Sequence, residues 1–304
     1  VLHGRRLQSA ASNGKGLKAM AGGRTRIGTR VGIVAPGTAI DRDIARRVTE
    51  LAAGLYPGGR VELVFHPQCF ASAGHFAGTD AVRLDALAGA ANDESLDAVW
   101  FARGGYGACR LIEGLLPRLG EAARHKVYLG YSDAGSLLGA LYGRGCHRVA
   151  HGPMPVDVIR PGGEAAVARA LSFLVERDPH ALEPSLSAEV PAAAFNLTIL
   201  AHLLGTPWQP ELAGHVLMVE EVSEYMYRID RDLFQLTSNP AVRRVAGLKL
   251  GRCSDIPPNT PDFAQTEEEV ARVWCERSGI TWLGRADIGH DVGNKVVPFG
   301  LWRA

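Results

Sequence analysis

The stretch "YLGYSDAGSLLGAL" at residues 128–141 decides how this chain is read. An apolar run enters Gly130-Tyr131-Ser132-Asp133-Ala134, and a long apolar segment comes after it. That order predicts a buried strand, a sharp corner and a helix. A serine at such a corner holds its hydroxyl out, and the free N–H groups and partial positive charge of the helix start favour an oxyanion beside it. The fifth residue is Ala134, so the G-x-S-x-G nucleophile pattern is incomplete. Taken alone, the corner fits either a nucleophile or a serine that caps the next helix.

Outward from the corner the chain alternates. Strands are expected at 31–35, 60–66 and 96–105, with helices at 41–55, 78–93 and 109–115 between them, and Asp41 is a candidate N-cap. Strand–helix alternation at this spacing predicts a doubly wound, mostly parallel sheet over residues 27–155. Ligands bind outside the carboxyl ends of such strands, so the loops at 36–37, 103–107 and 131–135 should share one edge. After "VAHGPMP" the texture changes. Residues 156–191 read as a helix and a Pro/Ala-rich linker, and 192–304 as a smaller, β-rich C-terminal domain with an α/β chain overall. Within it, 195–207 looks helical, "GHVLMVEEV" is a strand, a short strand falls near 248–250, and a helix spans 267–278.

Composition narrows the function. The 304 residues carry 33 basic and 32 acidic side chains, a balance that gives no phosphate-tracking surface and argues against nucleic acid as a partner. Five scattered cysteines with no C-x-x-C pair argue against a disulfide scaffold or zinc ribbon and favour a reducing, cytoplasmic setting. No apolar run approaches the roughly 20 residues that cross a bilayer, so no membrane association is expected. Residues 1–26, rich in Arg, Lys, Gly and Ser, are expected to form a basic disordered tail.

A serine nucleophile needs a base and a group to orient that base. His290 lies in the polar, Gly-rich "DIGHDVGN", where it is either a positioned base or a turn histidine bonded to backbone. Glu220 and Glu221 end the apolar "VLMV" strand, where a carboxylate needs a partner such as a histidine N–H or else faces water. "ARGGYGACRL" is a strand entering a Gly-rich loop that fits an oxyanion hole or a tight turn, and matches neither the dinucleotide nor the Walker fingerprint. His151 in "HGPM" is a second base candidate, though its Gly-Pro neighbours suit a structural turn. No H-E-x-x-H, helical histidine pair or Asp-rich calcium loop occurs, and no metal site is expected.

In order and spacing, "GIVAPG", "ARGGYGACRLI", "LGYSDAGSLLGAL", "HGPM", "FNLTILAHLLGTPWQPELAGHVLMVEEVSEYMYRIDR" and "GHDVGNKVVPFG" resemble the LD-carboxypeptidase family of serine peptidases, which includes muramoyl-tetrapeptide carboxypeptidases and microcin immunity peptidases. The resemblance runs from about residue 31 to 301. It implies a Ser132–Glu220–His290 triad, backbone N–H donors from Asp133 and Gly105 as the oxyanion hole, no cofactor, a peptidoglycan-derived peptide cut before a terminal D-Ala, and a homodimer. Two positions depart from the family pattern. Ala194-Phe195-Asn196 stands where Gly-Gly-Asn is common, a change expected to reshape the cleft wall, and Ile288-Gly289-His290 where Phe-Gly-His is common. Arg103, leading the Gly loop, is a candidate either for the substrate's free carboxylate or for a salt bridge that fixes the loop. Competing readings are the same triad acting on a microcin-like peptidyl nucleotide, and a non-catalytic α/β ligand-binding protein, which needs a secretory signal and no triad.

Overall fold

The computed structural model describes residues 28–302, so the tail expected over 1–26 lies outside the described residues. In chain order the regular elements of the first lobe are β1 (Thr29–Val34), α1 (Arg42–Leu55), β2 (Val61–Phe65), α2 (Asp80–Asn92), β3 (Ala98–Phe101), α3 (Ile112–Leu115), α4 (Glu121–His125), β4 (Val127–Gly130), α5 (Gly135–Gly143), β5 (Val149–His151) and α6 (Gly163–Glu176). The second contains β6 (Ala192–Asn196), α7 (Leu197–Leu203), β7 (Val216–Val222), α8 (Met226–Ser238), β8 (Gly247–Ser254), α9 (Glu267–Ser278) and β9 (Trp282–Arg285), and the chain then returns to the first sheet as β10 (Val297–Pro298).

The first sheet has the order β10-β5-β4-β3-β1-β2, all parallel except β10. Its inner strands β3, β4 and β5 are buried on both faces, as a parallel sheet covered by crossover helices must be. Alternation sends Val31, Ile33 and Trp100 towards α1 and α6, and Val99, Phe101 and Tyr128 towards α2, α3 and α5. Each fully buried side chain of this size stabilises the fold by about 1.5–3 kcal/mol. Strand order reverses between β1 and β3, the switch point at whose carboxyl edge such sheets bind ligands.

The second sheet, β6-β7-β8-β9, is wholly parallel and carries α7, α8 and α9. The apolar cluster around α5 runs on through Phe195, Leu217, Val219, Ile229 and Leu233, so the two sheets share one continuous core.

Three local expectations need correction. Residues 192–196 form strand β6 and the helix begins only at Leu197. The Ala-rich run carries no strand signal of its own, and the helix start is set by Asn196, whose Oδ1 accepts Ile199 N–H at 3.1 Å. The strand expected near 248–250 continues to Ser254. Asp41 occupies the α1 N-cap position without a side-chain cap bond, whereas Thr79 caps α2 through Val82 N–H at 3.3 Å.

Candidate active site

The three loops expected on one edge do meet there. Thr38 N–H donates to Gly104 O at 3.4 Å, and the carboxylate of Asp133 accepts Ala108 N–H at 2.9 Å. Arg83, a fully buried residue of α2, completes the junction. Its Nη1 donates to Gly107 O at 2.9 Å and, through a shorter bond, to Pro36 O, while Nη2 pairs with Asp80. The β1, β3 and β4 loops are thus tied by one guanidinium and one carboxylate. Burial pushes the Asp133 carboxyl up to about 6, against the pull of the Ala108 and Gly107 N–H groups and the Arg83 charge. An arginine in "GTDAVRLDALAGAAND" gives no sign of this role, because the helix pattern marks neither its burial nor its reach across two loops.

Ser132 sits at φ 60°, a left-handed conformation that a non-glycine residue adopts only under constraint. It does not cap the next helix. Tyr131 holds the N-cap position of the 3₁₀ turn at Ser132–Ala134, and Ala134 that of α5. The Gly loop passes directly beside it. A Cβ placed on Gly104 would lie 2.9 Å from Ser132 Oγ and 3.6 Å from Asp133 N. Gly105 has φ +95°, and a Cβ there would strike Thr38 Oγ1 at 2.3 Å. Both glycines are required for the loop to lie this close to the corner.

Glu220 and Glu221 are adjacent on β7, so their side chains leave on opposite faces. The pairing with β8 is irregular here. Val219 pairs with Leu250 and Glu221 with Cys253, so Glu220 alone faces Gly251 and Arg252. Glu220 is wholly buried, and its Oε2 meets His290 Nδ1 at 2.5 Å. Glu221 is engaged elsewhere: Asn196 Nδ2, Thr198 N and Val222 N donate to it at 2.7–2.9 Å. Burial raises the Glu221 carboxyl, against these donors.

His290 lies on the segment that leaves β9 in the second sheet and re-enters the first as β10. That crossing lets one residue touch Glu220 of one lobe and pack at a tilt against Tyr131 of the other, ring centroids 4.9 Å apart. The loop is clamped by Arg252, which pairs with Asp287 at 2.6 Å and with Asp291, its Nη2 reaching Oδ1 at 3.0 Å. Burial lowers the His290 imidazole, but the charge and hydrogen bond of Glu220 outweigh it and leave the ring above its ordinary value. Its Nε2 is buried and has no hydrogen-bond partner among the described residues. His290 and Ser132 line one cavity of about 410 Å³.

His151 lies on the same Tyr131, ring centroids 5.6 Å apart, but is turned to other partners. It is buried, its Nε2 meets Asn294 Oδ1 at 3.1 Å, and burial lowers it to about 3, which keeps it neutral. "HGPM" is a structural corner, with Trp100 Nε1 donating to Pro153 O at 2.8 Å. Phe195 does not reshape a cleft wall as expected. It is fully buried against Phe299, ring centroids 4.9 Å apart, and faces α5 at Gly135 and Gly139. Ile288 is likewise buried, against Gly251. Among the described residues no cluster of His, Cys, Asp and Glu could hold a metal ion, and no helix is long and apolar enough to cross a membrane.

A strained serine at a strand-to-helix corner and a carboxylate-bound histidine on one cavity form the arrangement of a hydrolase, and comparison with known proteins gives the family. Residues 31–152 match the LD-carboxypeptidase N-terminal domain and residues 192–303 the LD-carboxypeptidase C-terminal domain, so the chain belongs to the LD-carboxypeptidase family and is a peptidase. Its relatives include the murein tetrapeptide carboxypeptidase of Pseudomonas aeruginosa, 28% identical, with 89% of this chain and 91% of that protein covered. The fold is that of the muramoyltetrapeptide carboxypeptidase from Oxalobacter formigenes (TM-score 0.73, 24% identity, 90% of this chain and 93% of that one). It is also that of the microcin C7 self-immunity protein MccF (TM-score 0.74, 17% identity, 90% and 92%).

Proposed function

We propose that this peptidase is a serine carboxypeptidase that hydrolyses the amide bond to the C-terminal D-Ala of murein tetrapeptide, with Ser132, His290 and Glu220 as its triad. The observation that carries the reading is the state of His290: Nδ1 is held by a buried carboxylate, Nε2 has no hydrogen-bond partner among the described residues, and the residue lines the cavity that Ser132 also lines. A neutral imidazole bonded in this way keeps its proton on Nδ1 and presents a lone pair at Nε2.

In the reaction, Ser132 Oγ attacks the carbonyl carbon before the terminal residue as its proton passes to His290 Nε2. Glu220 fixes the tautomer and stabilises the imidazolium. The N–H groups of Asp133 and Gly105 bind the developing oxyanion. Support for Gly105 comes from its peptide. Gly104 O is turned to Thr38 N–H, so in a trans unit Gly105 N–H points the opposite way. His290 then protonates the departing amine, and water, activated by the same imidazole, releases the acyl group from Ser132. No metal or organic cofactor enters these steps. The relatives' names supply the substrate, the family resemblance supplies a homodimer, the scattered cysteines supply a cytoplasmic setting, and the change of sequence texture supplies a division into lobes at 27–155 and 192–304, joined by 156–191.

Incubation with murein tetrapeptide should release D-Ala, and Ser132→Ala should lower the rate by about six orders of magnitude with the fold intact. Equal release by Ser132→Ala would remove the nucleophile assignment. A serine-directed fluorophosphonate that labels His290→Ala as fast as wild type would remove the base.

A further inference from the structure

The cavity that holds Ser132 and His290 is positively charged by construction. Two guanidiniums line it, Arg103 from the loop after β3 and Arg160 from the turn beyond "HGPM", and among the described residues no carboxylate does. Glu220 is buried behind the imidazole and Asp157 behind Arg160. The two arginines are held differently. Arg103 makes one long contact, Nη1 to Ala39 O at 3.4 Å. Arg160 is held by its Nε edge, which donates to Asp157 Oδ1 at 3.1 Å, and its two Nη groups are the remaining donors.

Asp157 is itself fixed. It is buried, and it accepts the Tyr131 hydroxyl at 2.8 Å and Met154 N–H at 2.8 Å. Tyr131 immediately precedes Ser132 and packs its ring on His290. Arg160 is therefore registered, through Asp157 and Tyr131, to both the hydroxyl and the imidazole. A guanidinium held by Nε presents its Nη pair as a planar fork, the geometry that grips a carboxylate by two parallel N–H···O bonds.

We infer that Arg160 is the specificity-determining anchor for the substrate's free C-terminal carboxylate, held in place by Asp157; the inference rests on the carboxypeptidase reading above. The fork selects a peptide that ends at the residue to be released and disfavours one whose terminus is amidated or extended. Arg103, on a looser mount, adds charge without setting the distance.

The test compares murein tetrapeptide ending in free D-Ala with the same peptide ending in D-alaninamide. Wild type should favour the acid by about 10- to 100-fold in kcat/KM. Arg160→Gln should lose most of that ratio, chiefly through a higher KM for the acid, with fluorophosphonate labelling of Ser132 unchanged. Arg160→Lys should recover part of it, and Arg103→Gln should leave the ratio nearly intact. Calorimetric binding of the two peptides to Ser132→Ala, with and without Arg160→Gln, reads the same preference without turnover. If wild type releases no D-Ala, the proposed reaction falls and the binding measurement still decides the anchor. An Arg160→Gln protein that labels normally and keeps the wild-type preference overturns the inference, as does a preference that vanishes only with Arg103→Gln.

Discussion

Glu220, on strand β7, and His290, on the segment from β9 to β10, meet at 2.5 Å, carboxylate oxygen to Nδ1, with the glutamate wholly buried. The pair sets the pH dependence. His290 is raised above its ordinary value of about 6.5, and the base form is the neutral ring. D-Ala release should therefore be weak at low pH and rise through an inflection above pH 6.5. Glu220→Gln removes the charge that opposes desolvation, so the inflection should move down in pH, while kcat falls by about 10⁴-fold as in triads whose orienting carboxylate becomes an amide. An unchanged profile in Glu220→Gln would show that another group sets the inflection.

The adjacent glutamate should behave differently. Glu221 accepts Asn196 Nδ2, Thr198 N–H and Val222 N–H and so joins the ends of β6, α7 and β7. In Glu221→Gln one side-chain oxygen becomes an NH₂ facing a backbone donor, a loss of about 1–3 kcal/mol. Denaturant unfolding should show that loss, and the pH inflection of the remaining activity should move down less than in Glu220→Gln, because the Glu221 charge raises the His290 ring less than Glu220 does. A downward shift like that of Glu220→Gln would mean that both carboxylates orient His290.

Much of this was legible in the sequence because the first lobe obeys simple rules. Its strands are short apolar runs bounded by Gly and Pro, as at 31–37, and its helices carry clear apolar spacing, as at Ile44, Val48 and Ala52. The strand β6 was not legible, since Ala192, Ala193 and Ala194 owe their extended form to pairing with β7, a contact distant in the chain. Glu220 and Glu221 could not be separated by residue type, because the choice depends on an irregular pairing with β8, a strand further along the chain. Arg83 and Arg160 were missed for a related reason. Each acts through a guanidinium that reaches out of an ordinary-looking helix or turn into another loop's chemistry.

Gly251 should be nearly irreplaceable. A Cβ there would lie 2.7 Å from the Ile288 carbonyl oxygen and 2.9 Å from Glu220 Cβ, so it pushes on both sides of the carboxylate–imidazole pair at once. Backbone on one side and a buried side chain on the other cannot yield cheaply, and overpacking of this kind costs about 1–3 kcal/mol. Gly251→Ala should lower kcat for D-Ala release by about 100-fold, the scale of a misplacement near 1 Å, with KM little changed. Wild-type kcat in a stably folded Gly251→Ala protein would show that the pair tolerates displacement.

Arg83 touches no reacting atom in the proposed mechanism, yet its loss should reach the chemistry. Its guanidinium lies 4.6 Å from the centroid of the Phe76 ring and holds the carbonyls of Pro36 and Gly107, while Asp133 holds Ala108 N–H from the nucleophile's side. The loop between these anchors carries Gly104 and Gly105 past Ser132. A lysine keeps the charge but is one nitrogen rather than a fork, so it cannot reach two carbonyls and Asp80 together. Arg83→Lys should cost about 2–3 kcal/mol in denaturant unfolding, the scale of losing hydrogen bonds from a charged group to buried carbonyls. It should also lower kcat more than it changes KM, because the oxyanion donors are used most fully in the transition state. Stability lost with kcat retained would assign Arg83 to the fold alone, and wild-type values for both would remove the clamp.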